Sequence, residues 1–270
     1  MTTFGTPRRH VAQCGSTNDL AREWAHDPDD PAPSGALVTA DFQTRGRGQR
    51  GRQWQAGFAQ SALMSFIYHL PIGAEASQLG LVVALAVVDA LAAVAGLDPR
   101  LKWPNDILLD GRKVAGILVE VTPPVPTTVD EGGAGGERPV GARFIAPPSL
   151  TPPELGARGA ILGIGINVGQ ERFVGAEKFV YPPTSLRLAT GRSHEVERVA
   201  AAVAQALTQR EGDWRRDGFP AILEECRNRL AVGATVRRGE LRAELVGLAP
   251  TGAAQVRLPG GTFAEWCTVD

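Results

Sequence analysis

Apolar positions recur along this 270-residue chain with two different periods, and the changes of period mark the elements. Arg8 to Gln13 reads as a short strand. Ser16-Thr17-Asn18-Asp19 reads as a helix start, with Ser16 as N-cap and Asp19 three residues on, leading into Leu20 to Ala25. Asp27-Pro28 and Pro31-Ala32-Pro33 break that helix. Ala36 to Phe42 and Ala62 to Leu70 are strand-like stretches flanking a loop rich in glycine and arginine. In the longest apolar stretch, Leu79, Val82, Val83, Ala86, Ala90, Leu91 and Val94 follow helical spacing, interrupted by Asp89, which predicts a packed amphipathic helix. Arg100 to Trp103 and Ile107 to Leu109 follow as strands, and Asp110-Gly111 is a hairpin signal that returns the chain along Lys113 to Val121. Ala160 to Val168 is an apolar strand, Thr184-Ser185-Leu186 a short helix, and Glu195 to Arg215 and Phe219 to Leu230 longer helices broken at Gly218 and Pro220. Beyond residue 230 the pattern changes. Thr235-Val236, Leu241 to Leu248, Ala254 to Leu258 and Thr262 to Thr268 are short strands between glycine-containing turns, which suggests a small SH3-like barrel.

These elements predict an α/β (α+β) chain with two domains, 1–230 and 231–270. Residues 122–158 fit neither: Pro123-Pro124, Gly132-Gly133, Gly135-Gly136 and Pro152-Pro153 crowd a span poor in apolar residues, a composition that favours disorder. Charge changes the picture little as a total. Hydrophobic residues make up 43% and charged residues 21%, and the formal net charge is −1, so neither a general nucleic-acid coat nor a membrane-surface role is implied. The three cysteines, Cys14, Cys226 and Cys267, are widely separated and odd in number, as in a reducing compartment. No signal-peptide pattern or bilayer-length apolar run stands out, and the expectation is a soluble cytoplasmic protein. The four histidines show no ligand spacing, so no protein-held metal is expected.

Local charge matters more. Gln43-Thr44-Arg45-Gly46-Arg47-Gly48-Gln49-Arg50-Gly51-Arg52-Gln53-Trp54 sets four arginines among three glycines. Glycine lets backbone approach a ligand closely, and the arginine fork matches phosphate or carboxylate oxygens. The stretch reads as an anion cradle. A solvated basic loop, or a nucleic-acid contact using Arg and Trp, is the competing reading. Lys113 is predicted by strand alternation to share a face with Ala115, Ile117 and Val119, an unusual place for an ammonium unless it has a partner or reaches to water. Asn105 and Asp106 follow Lys102-Trp103-Pro104 and offer an amide and a carboxylate. Gly163-Ile164-Gly165-Ile166-Asn167 lacks the third glycine and the following helix of a dinucleotide fingerprint; its glycines suit close backbone approach in a strand lining a pocket.

Taken in order, Ser16-Thr17-Asn18, the Gly/Arg loop, Lys102-Trp103-Pro104-Asn105-Asp106, Gly111-Arg112-Lys113 with Gly116, and Gly163 to Val168 resemble the biotin protein ligase family. The resemblance covers roughly residues 8 to 270, and it marks 122–158 as an insertion. It implies a class II synthetase-like catalytic domain, a mixed sheet flanked by helices, followed by an SH3-like domain. It further implies two-step chemistry, in which biotin and ATP, with magnesium on the nucleotide, give biotinyl-5′-AMP and pyrophosphate, and the acyl group then passes to a lysine of a biotin carboxyl carrier domain. Carried over, Ser16, Thr17, Asn18, Gln43, Gly46, Arg47, Gly48, Gln49, Lys113 and Gly116 would bind biotin. Arg47, Arg50, Arg52, Trp54, Asn105, Lys113 and Asn167 would bind ATP or the adenylate. Lys113, Arg47 and Asp106 would be catalytic, Lys113 by bridging two anions and Asp106 by orienting or accepting the acceptor amine's proton. Gln49 stands where many of the family carry arginine. The sequence before Arg8 is too short for a helix-turn-helix module, so a ligase without DNA binding is expected, with a homodimer compatible. A lipoate- or octanoyl-handling transferase is the alternative within the fold class, and an RNA-binding module the alternative outside it.

Overall fold

Seven strands form the main sheet in the order β1-β2-β3-β7-β6-β5-β4. They are β1 (Arg8–Cys14), β2 (Leu37–Gln43), β3 (Ser61–His69), β4 (Arg100–Lys102), β5 (Asp106–Leu109), β6 (Arg112–Thr122) and β7 (Gly159–Asn167). The structure is a computed structural model that describes residues 2–71, 75–123, 158–176 and 179–267. β1 runs parallel to β2 because α1 (Thr17–Ala25) carries the chain across between them; every other pairing is antiparallel. β3 and β7 lie at the centre and are covered on both faces, which explains why they read as nearly unbroken apolar runs.

The two faces have separate cores. Ile67 and Ile161, opposite each other in the β3–β7 ladder, pack with Val38 beneath Ala21, Trp24 and Ala25 of α1. Their neighbours Phe66 and Leu162 point the other way, into the larger core beneath α2 (Ala76–Ala95), α4 (Val196–Asp217) and α5 (Phe219–Asn228). α2 is not the amphipathic helix that its spacing predicts. It is long and apolar enough to cross a bilayer by length and composition, yet it is buried around most of its circumference because the sheet covers one side and α4 and α5 cover others. Its Asp89 meets Arg210 of α4 at 2.5 Å, and Arg210 also reaches Asp213 and, on α5, Glu225.

Four further strands, β8 (Thr235–Arg238), β9 (Leu241–Leu248), β10 (Ala254–Arg257) and β11 (Phe263–Trp266), form an antiparallel sheet in the order β11-β10-β9-β8. Its inward residues Val236, Leu245, Leu248, Val256 and Trp266 join the core of the main sheet. The Trp103 indole N–H donates to the Gly252 carbonyl at 3.0 Å across that junction.

Local departures from the sequence reading have local causes. Ser16 occupies the N-cap position of α1, but its side chain makes no capping bond, and Asp19 turns to arginines instead. α3 (Leu186–Thr190) begins later than expected because Ser185 is its cap, accepting the Leu188 N–H at 3.1 Å. The 122–158 insertion, apart from Thr122, Pro123 and Arg158, lies outside the described residues, as does Thr268.

Candidate active site

The α1 face of the sheet is only partly roofed, and beside the first turn of α1 its strands carry glycines in place of side chains. Gly116 of β6 faces Gly165 of β7 across the ladder, and Gly163 follows two residues along. A Cβ at Gly165 would lie 2.6 Å from the Trp54 ring, and one at Gly163 would lie 2.3 Å from Asn18 Oδ1. Glycine is required at both positions by close approach, as the strand reading anticipated. Above this floor opens a cleft of about 1110 Å³.

At one end the start of α1 supplies neutral polar groups. Thr17 donates its backbone N–H and its hydroxyl to Gln43 Oε1, at 2.7 and 3.1 Å. Ser65, from β3, donates to Asn18 Oδ1 at 2.5 Å, while Asn18 Nδ2 donates to Glu120 at 2.7 Å. Asn18 and Thr17 are buried, so these bonds fix their orientation within the cleft wall.

The Gly/Arg loop folds back on itself over the cleft. Trp54 N–H donates to Gly46 O at 2.9 Å and Gly48 N–H to Arg52 O at 2.7 Å, closing a narrow neck around the turn Gln49–Gly51. A Cβ on Gly46 would sit 2.5 Å from the Trp54 carbonyl oxygen, which makes that glycine obligatory for the neck. Gly48, Gln49, Arg50, Arg52 and Trp54 line the cleft; Gly46 stands behind them. Arg47 also lines it, with its guanidinium bonded to Asp19 at 2.5 Å and Glu120 at 2.9 Å.

Opposite the loop stands Lys113. Strict alternation would put it with Ala115, Ile117 and Val119, which face the core. Instead the β5–β6 register slips between Ile107 and Leu108: Ala115 pairs with Ile107, but Lys113 pairs with Leu108. This bulge turns Lys113 onto the face of Gly116 and Asp106. Its Nζ lies 2.5 Å from Asp106 Oδ1 and 5.7 Å from the centre of the Trp54 ring. Lys102 takes the other oxygen of Asp106 at 3.2 Å. Burial works against the charge on Asp106, but the two ammonium groups outweigh it and hold the carboxyl below its usual range. A carboxylate so stabilised takes up a proton less readily, and in this arrangement it is the shared counter-ion of both lysines.

Asn105 and Asn167 line the cleft, but their amides serve the scaffold. Asn105 Nδ2 donates to Ile117 O, and buried Asn167 donates to Thr184 O while accepting from Gln170. Among the described residues no group of three or more His, Cys, Asp or Glu side chains is arranged to hold a metal ion.

Residues 11–133 match the biotin/lipoate A/B protein ligase family model. A biotin–[acetyl-CoA-carboxylase] ligase of Paracoccus denitrificans is 31% identical over 265 residues, covering 93% of this chain and 94% of that one. The chain belongs to the biotin protein ligase family. A bifunctional ligase/repressor BirA of Bacillus spizizenii is 32% identical over 208 residues, covering 77% of this chain; the chain spans only about half, 54%, of that protein's length. The fold is also that of a biotin protein ligase from Aquifex aeolicus, solved with biotin and ATP, with a TM-score of 0.72 at 24% identity over 97% of this chain and 96% of that one.

Within this biotin protein ligase fold, several cleft residues escape a reading by motif. Glu120 holds Asn18, Arg22 and Arg47 together. Its signal is the alternation Gly116, Leu118, Glu120 on the site face. Ser65, deep in an apolar strand, is legible only as a polar residue where the pattern expects none. Arg172, Tyr181 and Arg237 also line the cleft, brought there by loops and by the small sheet; no spacing in the sequence marks them.

Proposed function

We propose that the protein is an ATP-dependent biotin–protein ligase. It would join biotin to AMP with release of pyrophosphate, then pass the acyl group to a lysine of a biotin carboxyl carrier domain. The observation that carries this reading is the meeting, in one cleft, of the neutral Ser16-Thr17-Asn18 wall and the cation Lys113 across a floor of glycines. Biotin's ureido ring is neutral, with donors and an acceptor, and suits hydroxyls and an amide. Its carboxylate must approach the α-phosphate of ATP. Two such anions at about 4 Å repel by roughly 1 to 4 kcal/mol between water and a surface dielectric. Lys113, aimed by Asp106, supports that encounter and the charge that develops in it. The Trp54 indole N–H, buried without a hydrogen-bond partner among the described residues, is the kind of donor that a bound acceptor satisfies.

Asp106, Asp19 and Glu120 are each engaged by Lys or Arg side chains, so magnesium is taken to enter on the phosphates as part of the substrate, keeping mostly water and phosphate ligands. The free state of all three cysteines supports a reducing, cytoplasmic setting. The test is pyrophosphate release with biotin and Mg-ATP, followed by mass measurement of a carrier domain. Release with biotin and a carrier mass raised by one biotinyl group are expected. Activity with lipoate in place of biotin would transfer the reading to the other branch of the family.

A further inference from the structure

Lys113 is held by more than its counter-ion. The β6–β7 ladder begins at the pair Ala115–Ile166, so the backbone of Lys113 lies beyond it. The stretch Pro182–Thr184 takes the place of β7 there. Lys113 N–H donates to the Pro182 carbonyl at 2.9 Å, and Thr184 N–H donates to the Lys113 carbonyl at 2.8 Å, which makes one parallel bridge centred on Pro183. Asn167, at the end of β7, fastens the same stretch by donating to the Thr184 carbonyl at 2.9 Å. Two consecutive prolines fix its φ angles, so the stretch is stiff where it meets Lys113.

Tyr181 heads this stretch and makes two contacts of different kinds. Its hydroxyl accepts the Thr235 N–H at 2.5 Å and donates to the Thr235 carbonyl at 3.3 Å, closing onto β8. Its ring faces the ammonium of Lys102, whose Nζ lies 5.2 Å from the ring centre. Lys102 therefore sits between that ring and Asp106 Oδ2, 3.2 Å from the latter. The Lys102 and Asp106 side chains are only 12% and 14% exposed, so water does little to screen the ring's attraction for the cation. With Oδ2 taken by Lys102, Lys113 has Oδ1. Were Lys102 released, both oxygens would be open to Lys113 and would hold its ammonium back from a bound anion.

We propose that Tyr181 is a positioning residue for adenylate formation: its ring keeps Lys102 on one oxygen of Asp106, and so leaves the Lys113 ammonium available to two substrate anions. The inference rests on the ligase reading above. The hydroxyl has a separate task, clasping the small sheet at Thr235. Substitution separates the two tasks, because phenylalanine keeps the ring and loses the clasp, while leucine loses both.

The test uses the full chain, with pyrophosphate release measured at varied biotin and Mg-ATP. Y181F is expected to keep kcat within about twofold, and Y181L to lower it about tenfold with KM for both substrates little changed. Because the ring acts through Lys102, Y181L should add no further loss to K102M. Phenylalanines bearing one, two and three ring fluorines at this position hold the shape while weakening the ring's negative face. Across that series kcat should fall stepwise, whether or not Y181L folds, and a ring that only fills space would show no such trend. Equal kcat across the series overturns the proposal, as does a further loss of about tenfold from Y181L on top of K102M, or a Y181F as slow as Y181L. A readout independent of turnover comes from the chain's three lysines, Lys102, Lys113 and Lys178. With 13C-labelled lysine, the Lys102 Hε signal, identified by its loss in K102M, should lie upfield in the wild type and Y181F and return to its ordinary position in Y181L. No upfield shift in the wild type overturns the proposal. A shifted Lys102 signal in an enzyme that releases no pyrophosphate would sink the ligase reading and leave the Tyr181–Lys102 arrangement standing.

Discussion

Lys113 and Asp106 illustrate how one slipped hydrogen-bond register decides a side chain's task. Lys113→Ala should still fold, because Lys102 keeps Asp106 paired, while adenylate formation falls about a hundredfold or more, the range seen when a preorganised charge is removed from a reacting centre. Pyrophosphate release measures it, and near-normal release would contradict the role. Asp106→Asn should slow adenylate formation and transfer alike, since its effect runs through the position of Lys113. A loss confined to transfer would instead support Asp106 as the group that orients or accepts the acceptor amine's proton. The same carboxylate has a pH signature. Its folded pKa is depressed below the ordinary value of 3.8, so its contribution to stability is complete above that value and is lost as pH falls through the lower, folded one. Asp106→Asn should therefore flatten the acid limb of a Tm–pH curve below about pH 4 and leave its neutral limb parallel to wild type. Lys113 was legible as a cation beside a hairpin turn. The face it uses was not, because a bulge is a matter of two strands and the alternation of one cannot reveal it.

At the scale of elements, the strands and helices were legible wherever burial is one-sided or complete. β3, β7 and the four short C-terminal strands lie close to where apolar runs and glycine turns put them. α2 was legible as a helix but not in its surroundings, since the spacing of Leu79, Val82 and Ala86 cannot tell how many neighbours will cover the other faces. Its one charge, Asp89, marks where α4 arrives. Asp89→Ala leaves Arg210 to Asp213 and a distant Glu225, and should cost about 1 to 2 kcal/mol, or a few degrees of Tm. A second test concerns the glycine floor. Gly163→Ala would put a methyl 2.3 Å from an Asn18 amide already bonded on both sides, and should cost about 1 to 3 kcal/mol in thermal denaturation. Gly51→Ala meets no atom within 4 Å, so it carries only the strain of its φ of +73° and should cost less.

For the molecule as a whole, the small sheet matters as much for where it sits as for how it folds. Its strands could be read from turn spacing, but Arg237 belongs to the cleft only because the sheet docks against Trp103 and Tyr181. No local pattern encodes that docking. Trp103→Phe keeps most of the buried ring and removes the bond to Gly252, so amide exchange in β8 to β11 should quicken while β3 and β7 stay protected. Equal acceleration in both sheets would mean that they open as one unit.

Because two ammonium groups, Lys102 and Lys113, share the single carboxylate of Asp106, the trio keeps one positive charge in excess, and an arriving carboxylate neutralises it without displacing Asp106. Uptake beside Lys113 is thus neutralisation of a partly sheltered excess charge, and added salt, which competes mainly for exposed charge within a Debye length of about 8 to 10 Å, should weaken contacts to the exposed arginines of the loop well before it loosens the grip on the acid being activated.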